Sequence, residues 1–175
     1  TSPGSWGSSE VISASSYHAS YSSVAFDSQE NIHVIYESQV DSTSGHNAIC
    51  YNKYSAGWEG ITEIEPYNSE INKSGVAVVV GLDDTIYAFF SNVSNVYLRK
   101  YTDSWQTRET VVAGSFPTPS IDHSGAIQLY YYSSGSPASI QKKTYTGSWS
   151  GATTIFTATN IVYTIGSYTK TFPKT

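Results

Sequence analysis

Tyr51-Asn52-Lys53-Tyr54-Ser55-Ala56-Gly57-Trp58 is the stretch on which the fold turns, because the chain repeats it. Leu98-Arg99-Lys100-Tyr101-Thr102-Asp103-Ser104-Trp105 aligns with it, as does Gln141-Lys142-Lys143-Thr144-Tyr145-Thr146-Gly147-Ser148-Trp149. Pro3-Gly4-Ser5-Trp6 reads as the tail of a fourth copy. The four tryptophans stand 52, 47 and 44 residues apart, which sets the period of an internal repeat. The shared pattern, Tyr-x-x-(Gly or Ser)-Trp, is a strand, a tight turn and a second strand that opens with Trp.

A second shared piece lies upstream. Val24-Ala25-Phe26-Asp27-Ser28-Gln29-Glu30-Asn31-Ile32 matches Pro119-Ser120-Ile121-Asp122-His123-Ser124-Gly125-Ala126-Ile127. The middle copy has Gly81 where the aspartate falls, so its turn is expected to differ. Short alternating runs follow, namely Ile32 to Tyr36, Ile86 to Phe90 and Ile127 to Tyr131, each bounded by Gly, Asn, Asp or Ser. No stretch of helical length carries apolar residues at helical spacing. Each unit therefore reads as strand a, turn, strand b, variable loop, strand c, turn, strand d. Four strands in ~40–50 residues are the signature of a propeller blade, which buries its faces by stacking on its neighbours. Gly75 to Gly81 is apolar throughout, as expected of an inner strand covered on both faces.

Composition narrows the function. Of 175 residues only 13% are charged, with nine Lys and Arg against fourteen Asp and Glu, and the net charge is −5. Nucleic acid is an unsuitable partner for such a surface. The longest uncharged apolar run, Val76 to Leu82, is far short of the ~20 residues of a membrane helix, so no membrane insertion is expected. The single cysteine, Cys50, excludes an internal disulfide framework and a multi-thiolate metal site, and in strand c it reads as a buried, inert thiol. The absence of Met, position 1 included, suggests a chain processed or cut from something longer.

The units resemble the repeats of secreted bacterial propellers, which carry a Pro-Ser-Ile-Ala-Val-Asp-x-x-Gly-Asn-Ile-His-Val-x-Tyr stretch and later a Gly-x-Trp. Val24 to Tyr36 and Pro119 to Tyr131 look like the first, and Gly57-Trp58 and Ser148-Trp149 like the second. Relatives of that kind include propeller lectins, sialidase-like enzymes and domains of surface adhesins. The resemblance implies an all-β propeller with about three full blades, near residues 13–58, 59–105 and 106–149. Partial blades at 1–12 and 150–175 complete a single domain over 1–175. Three and a fraction blades fall short of the ~4–8 of a closed ring. The ends are therefore expected to be covered by another copy, by the rest of a longer parent chain, or by residues 157–175 folding back with residues 1–12.

Residue chemistry sets the function classes apart. Asp27 and Asp122 suit turn-capping, accepting from backbone N–H groups two residues on. Sialidases grip the substrate carboxylate with three arginines, and this chain has two, Arg99 and Arg108. A general glycosidase needs two carboxylates ~5–9.5 Å apart, and no spacing here marks such a pair. The Asp83-Asp84 pair lacks a third carboxylate for calcium, the four histidines lack ligand spacing, and no cofactor or metal is expected. His33 shares the phase of Tyr87 and Gln128 and reads as a strand-face residue.

Sugar binding is the best positive case, since it needs flat aromatics beside planar polar groups. The candidate ligand residues are Tyr17, His18, Tyr21, Glu37, Arg99 and Trp105. Asn72 and Asn92 begin glycosylation sequons that matter only in a secretory pathway. The sequence thus points to an extracellular or cell-surface, non-enzymatic module for glycan recognition or adhesion. A structural subunit of an extracellular fibre or surface layer, and part of a glycoside-active enzyme, stand as alternatives.

Overall fold

The computed structural model describes residues 9–13, 18–39, 41, 47–67, 75–92 and 94–157, and the backbone alone of 161–165 and 168–172. The expectations placed on Trp6, Tyr17 and Asn72 lie outside these described residues. Strands β1 (Ala19–Phe26), β2 (Ile32–Gln39), β3 (Asn47–Tyr54) and β4 (Thr62–Glu65) form the first sheet, in chain order and antiparallel. The second is β5 (Val76–Val80), β6 (Ile86–Ser91), β7 (Asn95–Tyr101) and β8 (Glu109–Ala113), built the same way. The third is β9 (Ser115–Ile121), β10 (Ile127–Ser133), β11 (Ser139–Tyr145) and β12 (Thr153–Thr157). Strands β13 (Ile161–Ile165) and β14 (Tyr168–Phe172) pair as a separate hairpin.

Turn chemistry explains the repetition. The a–b turn closes through Asp27 N–H to the Asn31 carbonyl, and the same bond runs from Gly81 to Thr85 and from Asp122 to Ala126. In the first and third units the aspartate carboxylate also accepts the N–H of Asn31 at 2.8 Å and of Ala126 at 3.1 Å. The middle turn was expected to differ, yet its backbone is the same. Asp83 does the accepting from Thr85 N–H, at 3.1 Å. A Cβ at Gly81 would meet that carboxylate at 2.6 Å, so the glycine makes room for an acceptor moved two places along. The tryptophan corners also coincide: Tyr54 bridges Trp58, Tyr101 bridges Trp105 and Tyr145 bridges Trp149. Trp does not open strand d as expected. It forms one isolated bridge, and β4, β8 and β12 begin four residues later.

Two apolar cores fill the junctions between sheets. One joins Ile35, Ile49, Tyr51 and Ile64 of the first sheet to Val78, Ile86, Ala88 and Phe90 of the second. The other joins Phe89, Val96 and Leu98 to Ile127, Leu129 and Tyr131 of the third. Each fully buried side chain of this size contributes about 1.5–3 kcal/mol. The expected inner strand is β5, which packs against both β1 and β9. Val76, Val78 and Val80 belong to the first core and Val79 to the second. The tryptophans lock each sheet onto the one before it. Trp105 meets the Tyr51 ring edge-on at 5.1 Å, and Trp149 meets Phe89 at 6.2 Å.

The expected β-propeller is corrected by this arrangement. The all-β class and the three equivalent four-stranded antiparallel units stand, but the described sheets are three open meanders and no sheet closes. The principal packing runs from the first sheet to the second and from the second to the third. A ring would require the third sheet to be covered by the first. Instead, Ile140 and Phe156 of the third sheet are exposed. Beyond β12, the described C-terminal strands β13 and β14 pair with each other and with no strand of the three sheets.

Candidate functional site

A cleft of about 570 Å³ opens over the first core, between the first and second sheets. Asp27, His33, Tyr51, Lys53, Glu59 and Thr62 line it from one side, and Asp84, Ile86, Tyr101, Asp103 and Trp105 from the other. Its walls follow from local structure. The a–b turns of both units bring Asp27 and Asp84 to the same rim, and Asp84 ties them together by accepting Ser28 N–H at 2.8 Å and Ser28 Oγ–H at 2.6 Å. The tryptophan corner of the second unit supplies Tyr101, Asp103 and Trp105, with the Tyr101 and Trp105 rings 5.2 Å apart. The corner of the first unit supplies Lys53 and Glu59, whose charged groups lie 3.5 Å apart.

A polar chain runs along the first-sheet wall. Asp27 accepts from Gln29 and Asn31 backbone N–H groups and from Asn31 Nδ2, all within 2.9 Å. Its Oδ2 also lies 3.2 Å from His33 Nε2, and His33 Nδ1 lies 2.8 Å from the Tyr51 hydroxyl. The network assigns the tautomer. Gln128, the equivalent of His33 in the third unit, donates its amide to Asp122. By the same geometry His33 donates Nε2–H to Asp27, while its Nδ1 faces the Tyr51 hydroxyl. Desolvation would raise the Asp27 carboxyl, but the hydrogen bonds from Asn31, His33 and Gln29 overcome it and hold it down at about 2. Burial first, then the Glu59 charge, pushes the Tyr51 hydroxyl far above its ordinary value. Asp27 thus stays ionised and Tyr51 stays protonated. Neither is poised as a general acid near neutral pH.

The junction between the second and third sheets carries different side chains at the equivalent positions. There Tyr87 stands where His33 stands, and it meets Tyr145 at 6.1 Å. Lys100, the counterpart of Lys53, donates to the Tyr145 hydroxyl at 2.8 Å and sits 4.4 Å above that ring. The second junction thus carries a larger ring and an engaged lysine at the positions where the first has His33 and Lys53.

Of the ligand residues expected from sequence that lie among the described residues, Trp105 alone lines this cleft. Arg99 is turned away from it: Nε donates to Glu65 Oε2 at 3.1 Å and Nη1 to the Gln106 carbonyl at 3.0 Å. His18 is exposed, its carbonyl accepting Gln39 N–H at 2.9 Å. Tyr21 is 56% exposed with φ of 46°, at the β1 bulge, beside a smaller pocket that Tyr36 and Ile12 also line. Glu37 is buried and accepts from Asn47 Nδ2. Asn92 is buried at a hairpin turn, with Oδ1 accepting Ser94 and Asn95 N–H and Nδ2 facing the Tyr97 hydroxyl. Cys50 is buried, and burial followed by the Glu63 charge pushes its thiol up to about 11, as expected of an inert group. Among the described residues no three His, Cys, Asp or Glu side chains are placed to share a metal ion. Asp27, His33, Tyr51, Lys53 and Glu59 were missed as a site. The available signal was divergence inside the repeat, since His33 aligns with Tyr87 and Gln128, and Glu59 with Gln106 and Ser150.

No protein-family model matches this chain, and no curated protein matches it either. Among solved structures it is similar to a Dyadobacter fermentans protein of unknown function, with 12% identity and a TM-score of 0.54. That match covers 82% of this chain and 55% of the other, so the chain spans about half the length of that relative. The likeness is one of all-β fold. A fucose lectin from Kordia zhangzhouensis, solved with methyl-fucoside, matches at 15% identity and a TM-score of 0.45, over 85% of this chain and 99% of that one.

Proposed function

We propose that the chain is a non-enzymatic glycan-recognition module, acting outside the cell or at its surface, that holds a sugar in the cleft between its first and second sheets. The observation that carries this reading is the lining of the cleft. Trp105 and Tyr101 offer apolar ring surface beside Asp27, His33, Lys53, Glu59 and Asp103, which bear planar or charged hydrogen-bonding groups. A sugar presents apolar C–H faces and a belt of hydroxyls, so it needs both kinds of group together. Holding is favoured over hydrolysis because neither Asp27, kept ionised, nor Tyr51, held far above its ordinary value, is poised to protonate a glycosidic oxygen. An adhesive role follows where the glycan belongs to another surface.

Titration calorimetry against neutral, basic and acidic oligosaccharides tests the reading, with Trp105→Phe and Trp105→Ala as variants. An aromatic contact contributes about 0.5–1.5 kcal/mol beyond its burial. Trp105→Ala should therefore weaken binding about tenfold or more, with Trp105→Phe between it and the native chain. Unchanged binding in the alanine variant, or no binding of any oligosaccharide, refutes the proposal.

A further inference from the structure

Resting on the glycan reading of the cleft, we infer that its preferred ligand carries positive charge, as an oligosaccharide with free amino groups does, and that acidic sugars are rejected. The first ground is the balance of charge around the cleft. Asp27, Glu59, Asp84 and Asp103 contribute four carboxylates, against Lys53 as the only Lys or Arg lining it among the described residues. Asp27 and Asp84 are bound by neutral donors, which orient a carboxylate without cancelling its charge. Glu59 has the Lys53 ammonium beside it, and Asp27 has the His33 ring, so Asp84 and Asp103 are the two carboxylates with no basic side chain against them among the described residues. Asp103 has no hydrogen-bond or ion-pair partner among the described residues, and it stands two residues before Trp105 on the same corner.

The second ground is where the arginines are. Both Arg99 and Arg108 are engaged with the buried Glu65 carboxylate, away from the cleft. A sialic or uronic acid entering the cleft would lose hydration from its carboxylate and meet no guanidinium in exchange. The third ground is aromatic. The Tyr101 and Trp105 faces attract a cation through their ring quadrupoles, best where water is partly displaced, as inside a cleft. An ammonium group can therefore pair with Asp103 while its pyranose ring lies on Trp105. An N-acetyl group at the same position can do only the second.

The test compares three probes on the whole chain by calorimetry: a glucosamine trimer, the matching N-acetylglucosamine trimer, and a galacturonic acid trimer. Asp103→Asn is the variant, since it keeps shape and sits in an exposed corner. The expected result is about tenfold tighter binding of the amine form than of the acetylated form, and no binding of the acid. That advantage should shrink in Asp103→Asn and at high salt, and amine binding should fall in Trp105→Ala, which excludes general attraction to an acidic protein. If the acetylated trimer binds in a Trp105-dependent way and the amine binds no better, the charge inference fails while the glycan reading survives. Binding of the acid as tight as the amine also overturns it. If no trimer binds, the charge inference fails, and the glycan reading falls with it only if no neutral, basic or acidic oligosaccharide binds either.

Discussion

Replacing Glu65 by Gln should be a costly single change of charge. The Glu65 side chain is 4% exposed at the margin of the first sheet, and both its partners come from the second. Arg99 reaches Oε2 through Nε at 3.1 Å and Nη2 at 3.0 Å, and Arg108 reaches Oε1 through Nη1 at 2.7 Å. Glutamine keeps the shape but removes the charge, and its amide N–H₂ must oppose one of the two guanidinium groups. Breaking a fully buried pair costs about 3–5 kcal/mol. The arginines here are 21% and 29% exposed, so water partly recovers them, and we expect about 2–3 kcal/mol. For a chain of this size that is a fall in Tm of about 4–12 °C. Urea denaturation followed by tryptophan fluorescence measures it, as a lower midpoint with unchanged slope. Glu65→Leu combined with Arg99→Met and Arg108→Met should cost less than Glu65→Gln alone, because no buried charge is left unpaired. A Glu65→Gln variant within about 0.5 kcal/mol of the native chain, or a triple variant worse than the single one, refutes the reasoning.

Three further outcomes follow from the turns and the core. The Asp27 carboxyl is held at about 2, against 3.8 when free, so its stabilisation is fully present above the free value and disappears as pH falls toward 2. Acid unfolding of Asp27→Asn should therefore be shallower across that window, and an unchanged acid limb counts against the hydrogen-bonded turn. Gly81→Ala should push the Asp83 carboxylate off Thr85 N–H and cost about 1 kcal/mol, whereas Gly81→Asp with Asp83→Ser should recover stability by restoring the third unit's arrangement, in which Asp122 accepts from Ser124 and Ala126; calorimetric Tm values decide. A thiol reagent should leave Cys50 unmodified in the folded chain and react on unfolding, and fast reaction under native conditions would contradict its burial.

What could be read from the sequence was what is local. Asp27 and Asp122 with their turns, and the Tyr-to-Trp corners, depend on bonds within a few residues, so their spacing reported three equivalent units. The start of strand d was misplaced because a single bridge at Trp looks, in sequence, like the first pair of a longer ladder. Whether the sheets close was not legible. A repeat specifies how neighbours meet, not what the first and last faces meet. Arg99 was assigned to a ligand because its partner, Glu65, lies 34 residues away on another sheet.

The candidate site shows why reading residues one at a time missed it. Asp27 was a turn residue and His33 a strand-face residue, and both descriptions are correct. Tyr51 was one tyrosine among fifteen. Only the register joins them. His33 pairs with Lys53 across β2 and β3, which sets Tyr51 within reach of His33 Nδ1 while the turn delivers Asp27 to Nε2. At the equivalent tryptophan corner of the second junction stand Tyr87, Lys100 and Tyr145, in contact with one another. Repetition therefore supplies two equivalent scaffolds that carry different side chains: Tyr87 stands in place of His33, and Leu98 in place of Tyr51. In a repeat protein the positions to inspect first are those that share a frame and differ in size or charge, because packing requirements alone would have kept them alike.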